Sequence, residues 1–400
     1  MGRIQLTGQG RRRLQGGHPW IYVDDIAGGE GEPGELVPIA APDDRPLGWG
    51  LFSTKSKIGI RLVTRSAKQP NRSFWLERVR AAVGLRKELG LLHDAGACRL
   101  STGDAEGMPG FVVDRYADRL VVQSGCQGSD RMRDFLVELF LEVLPFEVAG
   151  VYERSDSATR KHEDLKPSVG WLSGSAVEQI EIKEPERFGF PRLSYEVSLV
   201  GGHKTGHYLD QRENRTEVAR FADGKKVLDA FSYDGLFGIR AALCGAQSVL
   251  CLDQAQAAGE RLLGNAERNG VLDRVRFEKV NAMHDLRDRA NSDERFGIVV
   301  VDPPAFARNK REVEGAIRGY RELNRRAMSL VEPGGMLFSA SCSFNIDRKT
   351  FVSCIAKAAL DVKRRAKIFS IRGAAADHPS LANLPESEYL KAVYCRIEVE

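Results

Sequence analysis

The sequence predicts an α/β protein: a C-terminal doubly wound, Rossmann-like sheet, preceded by a small N-terminal β-barrel and a central α+β segment. Three observations carry this. At 400 residues the chain is too long for one ordinary core. Its first 65 or so residues are short alternating apolar runs between Gly, Pro and Asp turns. From about Phe188 onward, strands that are apolar throughout alternate with helical stretches, as in a parallel sheet covered on both faces. The expected divisions are 1–70, 71–187 and 188–400.

The first stretch contains Gly34-Glu35-Leu36-Val37-Pro38-Ile39 and Ile58-Gly59-Ile60-Arg61-Leu62-Val63, both strand-like. Its basic residues, Arg11 to Arg13, Lys55 and Lys57, either meet phosphates or form a solvated face. In the second stretch Phe74 to Leu92 and Arg131 to Leu144 have helical spacing. Phe111 to Tyr116 and Leu120 to Gln123 read as a hairpin around Ala117-Asp118, and Val151 to Arg154 as a strand. The third stretch predicts strands at Lys226–Phe231, Ser248–Asp253, Val275–Val280, Gly297–Asp302 and Met336–Ser341. Helices are expected at Gly235–Cys244, Ala255–Asn269 and Val313–Leu330, and closing strands at Arg365–Arg372 and Tyr389–Glu398.

Composition narrows the function classes. No apolar run approaches the length that crosses a bilayer, and the N-terminus does not read as a signal peptide. Seven scattered cysteines without paired spacing suit a reducing cytoplasm. A net charge of +4 fits a nucleic-acid partner without establishing one. A metal is not expected: His203 and His207 lie four apart, but Gly206 argues for a loop rather than a zinc helix.

In a doubly wound sheet, ligands bind beyond the carboxyl ends of the strands, near the switch point. There the first strand of the third stretch runs through Asp229-Ala230-Phe231-Ser232-Tyr233-Asp234-Gly235-Leu236-Phe237-Gly238. This is not the three-glycine pattern that cradles a pyrophosphate. A looser acidic turn suits S-adenosylmethionine, which carries no phosphate. Asp229 is expected to face its amino or sulfonium side, with Gly235 and Gly238 letting adenosine lie against backbone. Asp253 ends the next strand, where an acid accepts ribose hydroxyls. Asn281, after the third strand, can meet the adenine amino group through its carbonyl.

Asp302-Pro303-Pro304-Ala305-Phe306 follows the fourth strand, where a target base must meet the methyl group. The prolines stiffen the loop and remove N–H donors, leaving Asp302 and carbonyls to accept from an amino group. Phe306 can stack on a flipped-out base. Ser341-Cys342-Ser343 ends the following strand. A thiolate adding to C6 of cytosine makes C5 nucleophilic enough to take a methyl group, and Cys342 is placed for that. If a ring or exocyclic nitrogen were methylated instead, Cys342 would be packing, and Asp302 and Pro303 would carry the chemistry. An RNA-binding assembly factor with a silent methyltransferase fold is a third reading.

The chain resembles the bacterial RlmI-type ribosomal RNA large-subunit methyltransferases, which act on cytosine C5 of 23S RNA. The resemblance spans nearly the whole length. It rests on His18-Pro19-Trp20-Ile21-Tyr22, Gly103-Asp104-Ala105-Glu106-Gly107-Met108-Pro109-Gly110 and Val112-Val113-Asp114-Arg115-Tyr116. It rests further on the run from His203 to Arg212, the pentad at Asp302, Ser341-Cys342-Ser343 and Asp377-His378-Pro379. It implies a PUA domain that binds RNA, a central domain and a class I methyltransferase domain. It also implies that Lys204, Thr205, Asp210 and Arg212 line the cofactor and target pocket, and that Cys342 is the nucleophile. Ribosomal RNA is the implied partner, with a homodimer left open. The second cysteine of another RNA cytosine methyltransferase family is absent, so a different base must resolve the adduct.

Overall fold

The computed structural model describes residues 2–400, which fall into two compact units. The first comprises residues up to Ile182, Val197–Leu209 and Ala376–Ser387. The second comprises Lys183–Glu196, Asp210–Ala375 and Glu388–Glu400. Among the described residues no helix is long and apolar enough to cross a membrane.

In the first unit, residues 4–64 form a six-stranded sheet around a small core of Ile4, Leu6, Leu14, Ile21, Val37, Ile39 and Ile60. Its helix, Gly8–Gln15, has no counterpart in the sequence reading. Thr7 caps it by accepting from Gly10 N–H, but two glycines in the first turn hide its periodicity. That helix uses Arg13 locally, 3.2 Å from Asp25 and over the Tyr22 ring. A five-stranded sheet follows, with helices Arg72–Glu88 and Gln127–Val143 sharing its core. The expected hairpin pairs Phe111–Tyr116 with Arg119–Ser124, turning through Ala117 at φ 51°.

The second unit holds the seven-stranded sheet. Its strands are β1 (Lys226–Ala230), β2 (Ser248–Asp253), β3 (Val275–Lys279), β4 (Phe296–Val301), β5 (Val331–Ser341), β6 (Arg364–Arg372) and β7 (Lys391–Val399). The spatial order is β3-β2-β1-β4-β5-β7-β6. The helices are α1 (Arg212–Ala219), α2 (Leu236–Leu243), α3 (Gln256–Arg268), α4 (Ala282–Arg289), α5 (Val313–Leu330) and α6 (Arg348–Asp361). β4 is wholly buried, as its unbroken apolar run requires. The first five strands in this order pair in parallel. β7 runs antiparallel to both β5 and β6, where the sequence had suggested only closing strands. Apolar patterning reports burial, not direction, and a strand reached without a crossover helix is free to reverse. The order switches direction at the β1/β4 pair, so the ends of these two strands frame the expected ligand crevice.

Candidate active site

The β1 end is an acidic, sharply bent turn. Phe231 and Tyr233 take φ of 64° and 51°, a left-handed conformation that side chains rarely adopt. The bend is held by backbone N–H groups: Ser232 donates to Leu252 O at 3.0 Å and Tyr233 to Asp253 Oδ2 at 3.0 Å. The other Asp253 oxygen accepts from Ala255 N–H at 2.9 Å, so this carboxylate organises both loops. Asp229 is buried and accepts from Gly238 N–H at 3.0 Å. Burial is the main force pushing its carboxyl up to about 8, and Asp302, Asp234 and Asp253 add repulsion.

The glycines here also have a packing role that the sequence did not show. A side chain at Gly235 would strike Leu262 of α3, and its φ of 77° already favours glycine. At Gly238 it would strike Val249 and the Cys251 sulfur of β2. Both residues let α2 pack against its neighbours. Asn281 caps α4, its Oδ1 accepting from His284 N–H at 3.2 Å. That contact leaves the oxygen a second lone pair.

The loops after β4 and β5 converge. Cys342 Sγ lies 4.0 Å from the Pro303 carbonyl, and Cys342 is partly exposed. The Ser343 hydroxyl accepts from Phe306 N–H at 2.9 Å and Ala307 N–H at 3.2 Å, and sits 2.8 Å from the Tyr320 hydroxyl. One serine thus ties the Asp302 loop to the Cys342 loop. The Phe306 ring stacks on Tyr320 of α5 with centroids 4.6 Å apart, and its edge faces Gly319. One ring face is therefore already covered by protein, a partner that the sequence did not reveal. Pro303 is buried and Pro304 exposed.

A hydrogen-bonded chain that sequence reasoning missed ends on Asp302. Tyr394 of β7 donates to Asn214 Oδ1 at 2.8 Å, and Asn214 Nδ2 donates to Gln211 Oε1 at 2.6 Å. Gln211 Nε2 then donates to Asp302 Oδ2 at 2.9 Å. Because each amide is fixed by the one behind it, Gln211 can only present a donor to Asp302. Gln211 stands between two expected site residues, which was the only signal that it belonged here. Asp210 is buried, and its Oδ2 accepts from the Tyr389 hydroxyl at 2.7 Å. Arg212 is buried and acts electrostatically on Glu184, which also pairs with Arg215 at 3.2 Å and Arg240 at 2.5 Å. Although burial opposes it, these three arginines hold the Glu184 carboxyl below its usual range.

Lys204 and Thr205 lie in the first unit. Lys204 is exposed, at φ 54°, with its ammonium 4.5 Å from the Tyr208 ring centre. Thr205 is fully buried, its hydroxyl donating to Asp114 Oδ2 at 2.5 Å and lying 2.9 Å from the Tyr116 hydroxyl. Asp114 also takes a bidentate pair from Arg99, whose N–H donates to Asp377; Asp377 lies 3.0 Å from His378 Nδ1. Trp20 Nε1 donates to Asp104 at 2.9 Å. The motifs that carried the resemblance in this unit are thus tied together by buried polar contacts.

Residues 4–65 match a PUA-like domain and residues 156–366 an S-adenosylmethionine-dependent methyltransferase. Over 400 aligned residues the chain is 37% identical to ribosomal RNA large subunit methyltransferase I of Shewanella denitrificans. It is 37% identical, over 403 residues, to the protein of that name from Photobacterium profundum. Each alignment covers 99% of both chains. Two solved structures share the fold over 99% of this chain and 100% of their own. One is a putative SAM-dependent methyltransferase from Streptococcus mutans, with a TM-score of 0.82 at 22% identity. The other is a putative methyltransferase complexed with SAH, with a TM-score of 0.84 at 23% identity.

Proposed function

This chain belongs to the S-adenosylmethionine-dependent methyltransferases, in the ribosomal RNA large subunit methyltransferase I family, and from that membership we propose that it methylates C5 of a cytosine in ribosomal RNA through an adduct on Cys342. The observation that carries the cytosine reading is the 4.0 Å approach of Cys342 Sγ to the Pro303 carbonyl, one residue from Asp302. That approach supports pairing a thiol nucleophile with an acceptor one residue away on the facing loop. A thiol nucleophile is what cytosine C5 chemistry requires and nitrogen methylation does not.

The residues around β1 suit the cofactor. Asp302, Asp234 and Asp253 each repel a charge on Asp229, an environment relieved by a cation. S-adenosylmethionine, when bound, supplies a sulfonium methyl group and an ammonium of that charge. Asp229, Phe231, Ser232, Gly235, Asp253 and Asn281 would hold it, with Lys204, Thr205 and Asp210 assigned by the resemblance. Arg212, Pro303, Pro304 and Phe306 would border the base.

In this mechanism Asp302, oriented by Gln211, accepts from the cytosine amino group. The Cys342 thiolate adds to C6, and the electron pair displaced onto C5 takes the methyl group. A base then removes the C5 proton, and the C6–S bond breaks to return the thiolate. The PUA-like domain would bind the RNA, and the cytoplasm would keep the seven cysteines reduced.

Ribosomal RNA carrying 5-fluorocytosine tests the reading, because fluorine at C5 blocks the last step. The expected result is an RNA-linked protein band that requires cofactor and disappears in Cys342→Ala. Methylation of the unsubstituted RNA by Cys342→Ala at the wild-type rate would remove the thiolate from the chemistry.

A further inference from the structure

Reversal of β7 brings an amine to this site. Because β7 runs antiparallel to β5, its first residue, Lys391, pairs with Ser341, the last residue of β5, at the edge where the parallel strands end. Lys391 is 3% exposed, and its Nζ donates to Ser343 O at 2.7 Å and Tyr389 O at 2.8 Å. These contacts use two of its three N–H donors and hold the backbone immediately after Cys342. Three groups act on it electrostatically: Cys342 first, then Glu388 and Asp347. Glu388 and Asp347 are exposed; Glu388 is paired with Arg348, and Asp347 caps α6. On the Cys342 side the Tyr320 phenol is also coupled electrostatically to Cys342, and burial raises its pKa further above neutrality. A buried ammonium bonded only to neutral carbonyls is poorly compensated, and a thiolate nearby would compensate it.

We propose that Lys391 is a positioning residue for the nucleophile: its ammonium favours the thiolate form of Cys342 and pins the loop that aims it. The proton lost by the thiol leaves to water while Lys391 keeps its own. This inference rests on the reading of Cys342 as the nucleophile. Burial pulls Lys391 down to about 8, so the counter-charge is present at neutral pH and fades on the alkaline side.

The test is alkylation of Cys342 by iodoacetamide in the full-length protein, followed by peptide mass spectrometry from pH 6 to 10. Wild type is compared with Lys391→Met and Lys391→Arg. In Lys391→Met the midpoint should rise by about one pH unit or more, making alkylation roughly tenfold slower near neutrality. Lys391→Arg should restore the wild-type midpoint. An unchanged midpoint in a folded Lys391→Met protein overturns the proposal. Should that variant fail to fold, Lys391→Arg decides: the alkaline decline in covalent trapping should move to higher pH, and a decline that stays in place overturns it. Undiminished methyl transfer by Cys342→Ala would instead overturn the nucleophile reading, whatever the alkylation profiles show.

Discussion

The two strand ends at the switch point are built on opposite principles. At β1, Asp229 is buried, and three further carboxylates raise its pKa. Past β4 and β5, the protein itself supplies the partners: Gln211 for Asp302, Tyr320 for the Phe306 ring, and Ser343 for the N–H groups of Phe306 and Ala307. The first arrangement concentrates carboxylates, and in the proposed reading a cationic ligand completes it. The second is already ordered, as the proposed base-holding site needs to be. The difference separates a surface that binds charge from one that fixes geometry.

Breaking the ordered end should have the largest effect. Cys342→Ala should lower methyl transfer by on the order of a thousandfold or more while cofactor affinity, measured by calorimetry, stays at the wild-type value. A weakened cofactor in that variant would mean that the two ends are not functionally separate.

The acidic end should respond to pH. Asp229 keeps its proton below about 8, and a cation favours the ionised form, so binding must expel that proton. Affinity should therefore rise as pH increases toward 8, by up to about tenfold per unit, and level off above it. In Asp302→Asn one repelling charge is gone, so the rise should begin at lower pH. An affinity that does not vary from pH 6 to 8 would contradict the electrostatic account of β1.

Gln211→Leu removes a hydrogen bond to a charged group, worth about 1.5–3 kcal/mol. It should cost roughly tenfold to a hundredfold in kcat, since kcat reports the orientation of Asp302 once cofactor is bound. Cofactor affinity should change little. The smallest effect is expected for Phe306→Leu, which gives up a ring stack worth about 0.5–1.5 kcal/mol. Thermal melting should fall by a few degrees, and methyl transfer should persist.

Much of the sheet was legible because its signals are local. The strand Ser248–Asp253 and the helix Val313–Leu330 coincide with their expected bounds, since each is a continuous periodic pattern. Asp302 and Cys342 were legible as candidates because strand ends place residues predictably. What escaped depends on residues far apart in the chain. Asn214 and Tyr394 meet across 180 positions, and no periodicity links them. Lys391 reads as part of an ordinary closing strand until that strand's direction is known. The packing role of Gly238 escaped for a related reason: a glycine near a helix start looks the same whether or not a neighbouring strand needs the space. Phe306 likewise showed an aromatic suited to stacking but not that Tyr320 already covers one face.

The central claim is cytosine C5 chemistry at the ordered end. Its most direct test is methyl transfer from radiolabelled S-adenosylmethionine to unmodified ribosomal RNA, followed by digestion to nucleosides and chromatography. The account predicts label in 5-methylcytidine. Label in any other nucleoside would leave the fold and the cofactor standing but contradict the role given to Cys342.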